Sequence, residues 1–212
     1  TLITTFNHVI QTKNQINVIV ASKHPSIQWL TMDEAKIHFK NGLGIWEWAS
    51  NKQKNPDVIL ACCGDTPTLE VVAASKILKE YCPKINTRVI NVIDLMRLQS
   101  NLKHPHGLTD KEYDKLFTTD KPIIFAFHGY PNLIHELTYN RCNRNLHVHG
   151  YREEGTITTP FDMRVQNELD RYHLVMDALK YLPQLGNRSA ILNQWCKDKL
   201  IEHKEYIHEY GD

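Results

Sequence analysis

The side chains that could do chemistry fall in four places along the sequence. The first is Cys63-Gly-Asp-Thr-Pro-Thr68, which reads as a strand end, a glycine turn and a helix start. Free amides at such a start can hold a phosphate or a carboxylate. The spacing is neither GxGxxG nor GxxxxGK[ST], so no nucleotide fingerprint is present, and a tight β–α turn is the plainer reading. Histidines form the second group. His147-Val-His149 on a strand puts two imidazoles on one face, with His104, His106, His128 and His135 elsewhere. A metal site needs three or four converging ligands, and neither HExxH nor a His/Cys pair at finger spacing occurs. Ordinary hydrogen-bonded histidines are therefore preferred to a small metal-dependent enzyme. His128-Gly-Tyr130 follows an apolar run, at the carboxyl edge of a sheet where open α/β folds take ligands.

The third place is Ala21-Ser-Lys-His-Pro25, where Lys23 would offer a phosphorylated ligand a point charge. A solvated loop lysine is the alternative. The fourth and densest runs from Asn140 to Met163. Glu153 and Glu154 there could act as general acid and base if one were desolvated. Glycines and threonines at turn and cap positions, with charges of both signs, favour a structured loop at a domain or subunit contact. Arg141, Arg144, Arg152 and Glu153 are the residues expected to make it. No GxSxG marks a nucleophilic serine. The five cysteines (Cys62, Cys63, Cys82, Cys142, Cys196) are odd in number and lack CxxC spacing. They read as reduced, small apolar side chains in a reducing cytoplasm, with Cys62 and Cys63 on opposite faces of a strand.

The elements that must position these groups are legible as short apolar runs alternating with helical patterns. The runs are Ile16–Ala21, Asp57–Cys63, Thr87–Ile93, Pro122–Phe127 and Leu146–His149, most of them rich in Val and Ile as in strands buried on both faces. Thr31-Met-Asp-Glu34 and Thr109-Asp-Lys-Glu112 fit the capping box. Thr66-Pro67 and Thr159-Pro160 place Thr at an N-cap and Pro in the first helical position. Strand followed by capped helix, repeated, predicts a three-layer α/β fold with a mostly parallel sheet. Towards the carboxyl end one helix is predicted from Phe161 to about Tyr181. After a break at Pro183 and Gly186, a second runs from Ser189 to Tyr210 with Ile191, Leu192, Trp195, Leu200 and Ile207 on its apolar side.

Composition bounds what these elements can do. Across 212 residues, 25 Lys+Arg stand against 24 Asp+Glu, a formal net charge of +1. That balance lacks the basic footprint of a nucleic-acid binder or a polybasic membrane anchor. No apolar run approaches the roughly 18 residues of a membrane helix. The first residues show no basic region followed by an apolar core, so no signal peptide is expected.

Five segments, in order, carry a family resemblance. They are Asn17-Val-Ile-Val-Ala-Ser-Lys-His-Pro25, Ala61-Cys-Cys-Gly-Asp-Thr-Pro-Thr68, Val92-Ile-Asp-Leu-Met-Arg-Leu-Gln99, Asp120-Lys-Pro-Ile-Ile-Phe-Ala-Phe-His128, and Val148–Met163 followed by Asn167-Glu-Leu-Asp-Arg-Tyr-His173. Across essentially its whole length the chain resembles the carboxyl-terminal domain of the thiamine-diphosphate-dependent phosphoketolases, which are transketolase-like. The resemblance implies a mixed five-stranded sheet, four strands parallel and one antiparallel, flanked by helices. Residues 1–15 would be the end of an interdomain linker or helix, and 183–212 a carboxyl-terminal helical extension. It also implies a lyase that cleaves xylulose 5-phosphate, and often fructose 6-phosphate, with inorganic phosphate to give acetyl phosphate and an aldose phosphate. Thiamine diphosphate and Mg2+ serve the full-length enzyme, a homodimer or higher oligomer. Neither is expected on this stretch, because no Gly-Asp-Gly occurs: Gly64-Asp65 is followed by Thr66, and Gly211-Asp212 ends the sequence. The cofactor-activating glutamate and active-site histidines of the family are missing too. The chain is thus expected to be an excised domain, inactive alone, whose partners are the remaining domains of the enzyme. One site residue carries over, Lys23, whose family counterpart helps hold the sugar phosphate. A free-standing α/β module that binds a phosphorylated small molecule is the alternative.

Overall fold

The computed structural model describes residues 1–14, 16–22, 25–51, 55–152 and 158–211. A five-stranded sheet is built from β1 (Leu43–Ile45), β2 (Val58–Cys63), β3 (Thr87–Val92), β4 (Ile123–Phe127) and β5 (Leu146–Gly150), in the order β1-β3-β2-β4-β5. β1 runs antiparallel to β3, and every other neighbouring pair is parallel. Helices α1 (Leu2–Val9) and α2 (Met32–Asn41) precede the sheet. α3 (Asp65–Tyr81), α4 (Asp110–Phe117) and α5 (Pro131–Thr138) are its crossovers, and α6 (Pro160–Gln166), α7 (Arg171–Lys180) and α8 (Asn187–Tyr210) follow it. This is the three-layer α/β arrangement predicted from the alternation of runs and caps.

All six residues of β2 are buried, and their alternation divides the core in two. Val58, Leu60 and Cys62 face α3 and α7 together with Val71, Ala74, Leu78, Leu174 and Val175. Ile59, Ala61 and Cys63 face the other layer, with Tyr113 and Phe117 of α4 and Ile134 of α5. Each fully buried aliphatic side chain contributes about 1.5–3 kcal/mol, so a one-residue slip of β2 would forfeit both layers at once. The two adjacent cysteines indeed lie in opposite layers. Cys62, Cys63, Cys82 and Cys196 pack as apolar groups, whereas Cys142 is exposed.

Both capping boxes form. Thr31 and Thr109 accept from the amides of Glu34 and Glu112, whose carboxylates accept in return from the threonine amides at 2.8 and 2.9 Å. Thr159 caps α6, with Pro160 following it.

Four expectations are corrected. The run Ile16–Ala21 forms no strand in this sheet; the fifth strand is Leu43–Ile45, which pairs Leu43 with Val92 and Ile45 with Ile90. Three residues with a central glycine give no apolar run, so only the pairing with β3 reveals β1. Second, α3 starts at Asp65 with Gly64 as its N-cap, not at Pro67 with Thr66. Gly64 has φ +106°, a conformation that glycine adopts without strain, so the chain turns two residues early. Third, the helix expected from Phe161 to Tyr181 is two helices. The chain breaks at Glu168, which has φ +53°, and Asp170 restarts it by accepting from the amides of Tyr172 and His173. Fourth, Ile191 is exposed on α8, where Leu192 and Cys196 are the buried positions.

Candidate functional site

The order of the parallel strands reverses between β2 and β4, so a ligand crevice is expected at their carboxyl ends. Gly64 and His128 sit there. The His128 amide donates to the Cys63 carbonyl at 3.0 Å, and a Cβ on Gly64 would lie 2.5 Å from His128 Cβ. The two strand ends therefore pack closely on each other at the switch point. His128 packs its ring against Tyr151, centroids 4.9 Å apart. Partial burial lowers the His128 pKa, with Asp65 opposing and Arg164 adding to the fall. The Tyr151 hydroxyl is pushed up by burial.

Beneath the α3 start runs a buried polar chain. Asn91 on β3 donates from Nδ2 to Thr68 Oγ1 at 3.0 Å, and Thr68 Oγ1 donates to the Gly64 carbonyl at 2.7 Å. With its amide so committed, Asn91 Oδ1 accepts from His38 Nε2 at 2.7 Å. His38 is buried, which lowers its pKa against the opposing pull of Asn91, so a neutral ring with its proton on Nε2 satisfies the chain. This network ties α2 and β3 to the turn at Gly64.

On the other side of α3, Glu70 is 0% exposed and holds two arginines. Arg164 Nη1 donates to Oε1 at 2.7 Å. Arg171 donates through Nε to Oε2 at 2.9 Å and through Nη2 to Oε1 at 3.2 Å, and the Arg171 amide donates to Oε2 at 2.9 Å. Both guanidiniums lie over the Phe161 ring. Glu70 thereby anchors α6 and α7 to α3. Nothing in the sequence marked the trio, since its members stand 94 and 101 residues apart.

On β5, His147 and His149 share a face as predicted, and each is taken up by α7 or the residue that ends it. His147 Nδ1 lies 3.1 Å from the Tyr181 hydroxyl, and His149 Nε2 lies 2.9 Å from Asp177 Oδ2. Lys180 donates to the other Asp177 oxygen at 3.0 Å. Burial raises the Asp177 pKa, but the hydrogen bonds from His149 and Lys180 outweigh it and bring it to about 2. A carboxyl depressed in the folded state contributes stability that is complete above its unfolded value, near 4, and is lost as pH falls through about 2. Asp177→Asn should remove that component and flatten the stability profile between these limits, as read by urea unfolding at stepped pH. An unchanged acid limb would contradict the assignment.

The remaining predicted residues are placed as follows. Lys23 lies outside the described residues, as do Glu153 and Glu154. Arg141, expected at a domain or subunit contact, is instead 2% exposed and bonded internally to the loop before α4. Its length lets it thread the layer while its fork meets backbone carbonyls. Arg144 bonds the Tyr139 carbonyl, and the Arg152 amide donates to Asn167 Oδ1 at 2.7 Å. His106 Nδ1 lies 2.8 Å from Asp94, well away from the β5 pair in sequence. Among the described residues, no three His, Cys, Asp or Glu converge to hold a metal ion. Burial pushes the Cys62 and Cys63 thiols up to about 11 and about 12, so neither is a thiolate nucleophile. None of the described helices is long and apolar enough to cross a membrane.

The family described as XFP C-terminal domain matches residues 23–212. The chain is 60% identical over 213 residues to a "Probable phosphoketolase" of Clostridium acetobutylicum and 59% identical over 214 residues to "Probable phosphoketolase 1" of Rhizobium meliloti. Each match covers 100% of this chain and 27% of the relative, so the chain spans about a quarter of the length of these relatives. Among solved structures, transketolase from Leishmania mexicana superposes with a TM-score of 0.50 at 8% identity, covering 71% of this chain and 19% of that one. That likeness concerns the fold alone.

Proposed function

Since the chain belongs to the phosphoketolase family, as its C-terminal domain, we propose that it serves a longer polypeptide that cleaves xylulose 5-phosphate, or fructose 6-phosphate, with inorganic phosphate. The products are acetyl phosphate and an aldose phosphate. The observation that carries this reading is the 60% identity, held across the whole chain, to a relative named a phosphoketolase.

The domain's own part is structural and dimer-supporting. Gly64 packs closely on His128 at the switch point, and the Glu70 cluster is spent on internal anchoring. Thiamine diphosphate and Mg2+ would supply the carbanion chemistry of the intact enzyme. The residues described here do not fit them: Gly64-Asp65 starts a helix, and no metal donor set converges. We therefore assign both to the rest of the polypeptide and derive no step through this domain. The reading of a free-standing module for a phosphorylated small molecule has less support, because the match runs over the whole of this chain and only 27% of a longer relative. The reading of the cysteines as reduced and the proposed metabolic role support a cytoplasmic location.

One side chain of this chain is assigned to substrate. Lys23 supplies an ammonium to the phosphate of the sugar, matching the family's Val-x-Val-Ala-x-Lys-x-Pro segment in Val18–Pro25. In the full-length enzyme, Lys23→Ala should raise KM for the sugar phosphate about 10- to 100-fold, the loss of one charge-assisted hydrogen bond, with a smaller change in kcat. Steady-state kinetics with xylulose 5-phosphate would check this, and an unchanged KM would remove the assignment.

A further inference from the structure

Helix α2 rests on the sheet through very little. Of its 10 residues only Ala35 and His38 are buried, while Met32 and Ile37 stand exposed. Backbone groups hold its carboxyl end. The Gly42 carbonyl accepts from the Ile93 and Asp94 amides at 2.9 and 2.8 Å, and the Lys40 carbonyl accepts from Arg97 Nη2 at 3.3 Å. The one polar side chain that ties the body of the helix to the sheet is His38.

The donors of its buried chain all point one way: His38 Nε2 to Asn91 Oδ1, Asn91 Nδ2 to Thr68 Oγ1, and Thr68 Oγ1 to the Gly64 carbonyl. A carbonyl only accepts, so it orients the chain from its far end and leaves Nε2 as the donor of a neutral ring. Nδ1 faces Gly44 of β1, where a Cβ would lie 3.3 Å away and where glycine offers no side chain. Among the described residues Nδ1 has no hydrogen-bond partner, and the Trp46 ring lies 5.9 Å from the imidazole between centroids. No counter-charge meets the ring either. His8 of α1 packs on Phe39, Asp94 and Arg97 meet the end of α2, and the charged side chains of α2 itself are exposed. Burial accordingly lowers the His38 pKa, with the Asn91 bond opposing and the Thr1 ammonium adding a smaller push. That ammonium is absent wherever further residues precede Thr1, and burial then carries the effect.

We propose that His38 is an acid-sensitive latch, which holds α2 on the sheet while its ring is neutral and releases it on taking a second ring proton. The added charge would sit beside Gly44 without an acceptor, whereas the same imidazole in water is protonated freely. Docking is therefore complete above the ordinary imidazole value, about 6.5, and weakens as pH falls below it. A single proton sets the scale. Between pH 7 and pH 5 the opening constant of α2 should rise about 5- to 25-fold.

Hydrogen–deuterium exchange of the full-length polypeptide, corrected for the intrinsic effect of pH on exchange, tests the latch. Peptides over 32–41 should open more readily at pH 5 by that factor, and those over 110–117 should not follow. α4 carries the same capping box and contains no histidine, so it is the internal control. His38→Gln keeps a donor for Asn91 Oδ1 and cannot titrate, so it should hold α2 equally at both pH values. Opening of α2 that stays level with α4 in the wild type overturns the proposal. So does a wild-type pH response in the glutamine variant, which would place the titrating group elsewhere. If that variant does not fold, Asn91→Asp replaces it. A carboxylate facing Nε2 should make α2 tighter as pH falls, and loosening of the wild-type size would again overturn the latch.

Discussion

Replacing Glu70 with alanine should destabilise the domain by about 3–5 kcal/mol, the cost of breaking a buried ion pair by removing one partner. Glu70 is wholly buried, and its two oxygens take four hydrogen bonds: one from Arg164, two from the Arg171 side chain and one from the Arg171 amide. The variant leaves two guanidiniums facing each other with no counter-charge, and their desolvation goes uncompensated. Burial lowers the Arg171 pKa while the bonds from Glu70 raise it beyond its ordinary value, so the arginine is committed to this carboxylate. Glu70→Gln keeps the shape and loses the charge, and should fall between. Urea midpoints with an unchanged m-value would report the series. A Glu70→Ala loss under 1 kcal/mol would show that α6 and α7 are held by their apolar contacts alone.

Arg141→Ala is expected to cost a similar amount, about 4 kcal/mol, through a different route. Arg141 donates from Nε to the Leu98 carbonyl at 3.0 Å, and from Nη2 to the carbonyls of Gln99 at 2.6 Å and Leu108 at 2.9 Å. Its guanidinium carbon lies 4.4 Å from the centroid of the Tyr113 ring, and Nη1 meets Asp110 at 2.7 Å. Truncation strands the acceptors and opens a cavity beside Tyr113. Lysine reaches as far but cannot fork, so Arg141→Lys should recover less than half of the loss. The ion pair is the minor part, since Asp110 is 69% exposed on its side and Asp110→Ala should cost under about 1 kcal/mol. If Asp110→Ala proved as damaging as Arg141→Ala, the carbonyl network would not be what the arginine serves.

These two residues also mark what the sequence can and cannot disclose. Local signals transfer well: both capping boxes, Pro160 after its Thr159 cap, and the parallel strands 58–63, 87–92, 123–127 and 146–150 follow from patterns a few residues long. Pairing over distance does not transfer. β1 is three residues with a glycine in the middle and exists because β3 offers it an edge. The break at Glu168 follows from Asp170 capping α7, which a continuous helical periodicity conceals. The turn residues and mixed charges around Arg141 point to a domain or subunit contact, and only the fold shows three carbonyls awaiting it. Of the candidate site, Gly64 and His128 are legible as sheet-edge residues, but their close packing depends on a backbone approach that no spacing encodes.

Under the proposed function, this domain would serve an enzyme that ends its reaction with phosphate rather than with a second sugar. The fold alone does not separate these outcomes, since a transketolase shares it. The direct measurement supplies the full-length polypeptide with xylulose 5-phosphate, thiamine diphosphate, Mg2+ and radiolabelled inorganic phosphate, with ribose 5-phosphate in a parallel reaction. We expect label in acetyl phosphate, in step with the release of aldose phosphate. Two-carbon transfer to ribose 5-phosphate with no labelled acetyl phosphate would contradict the account.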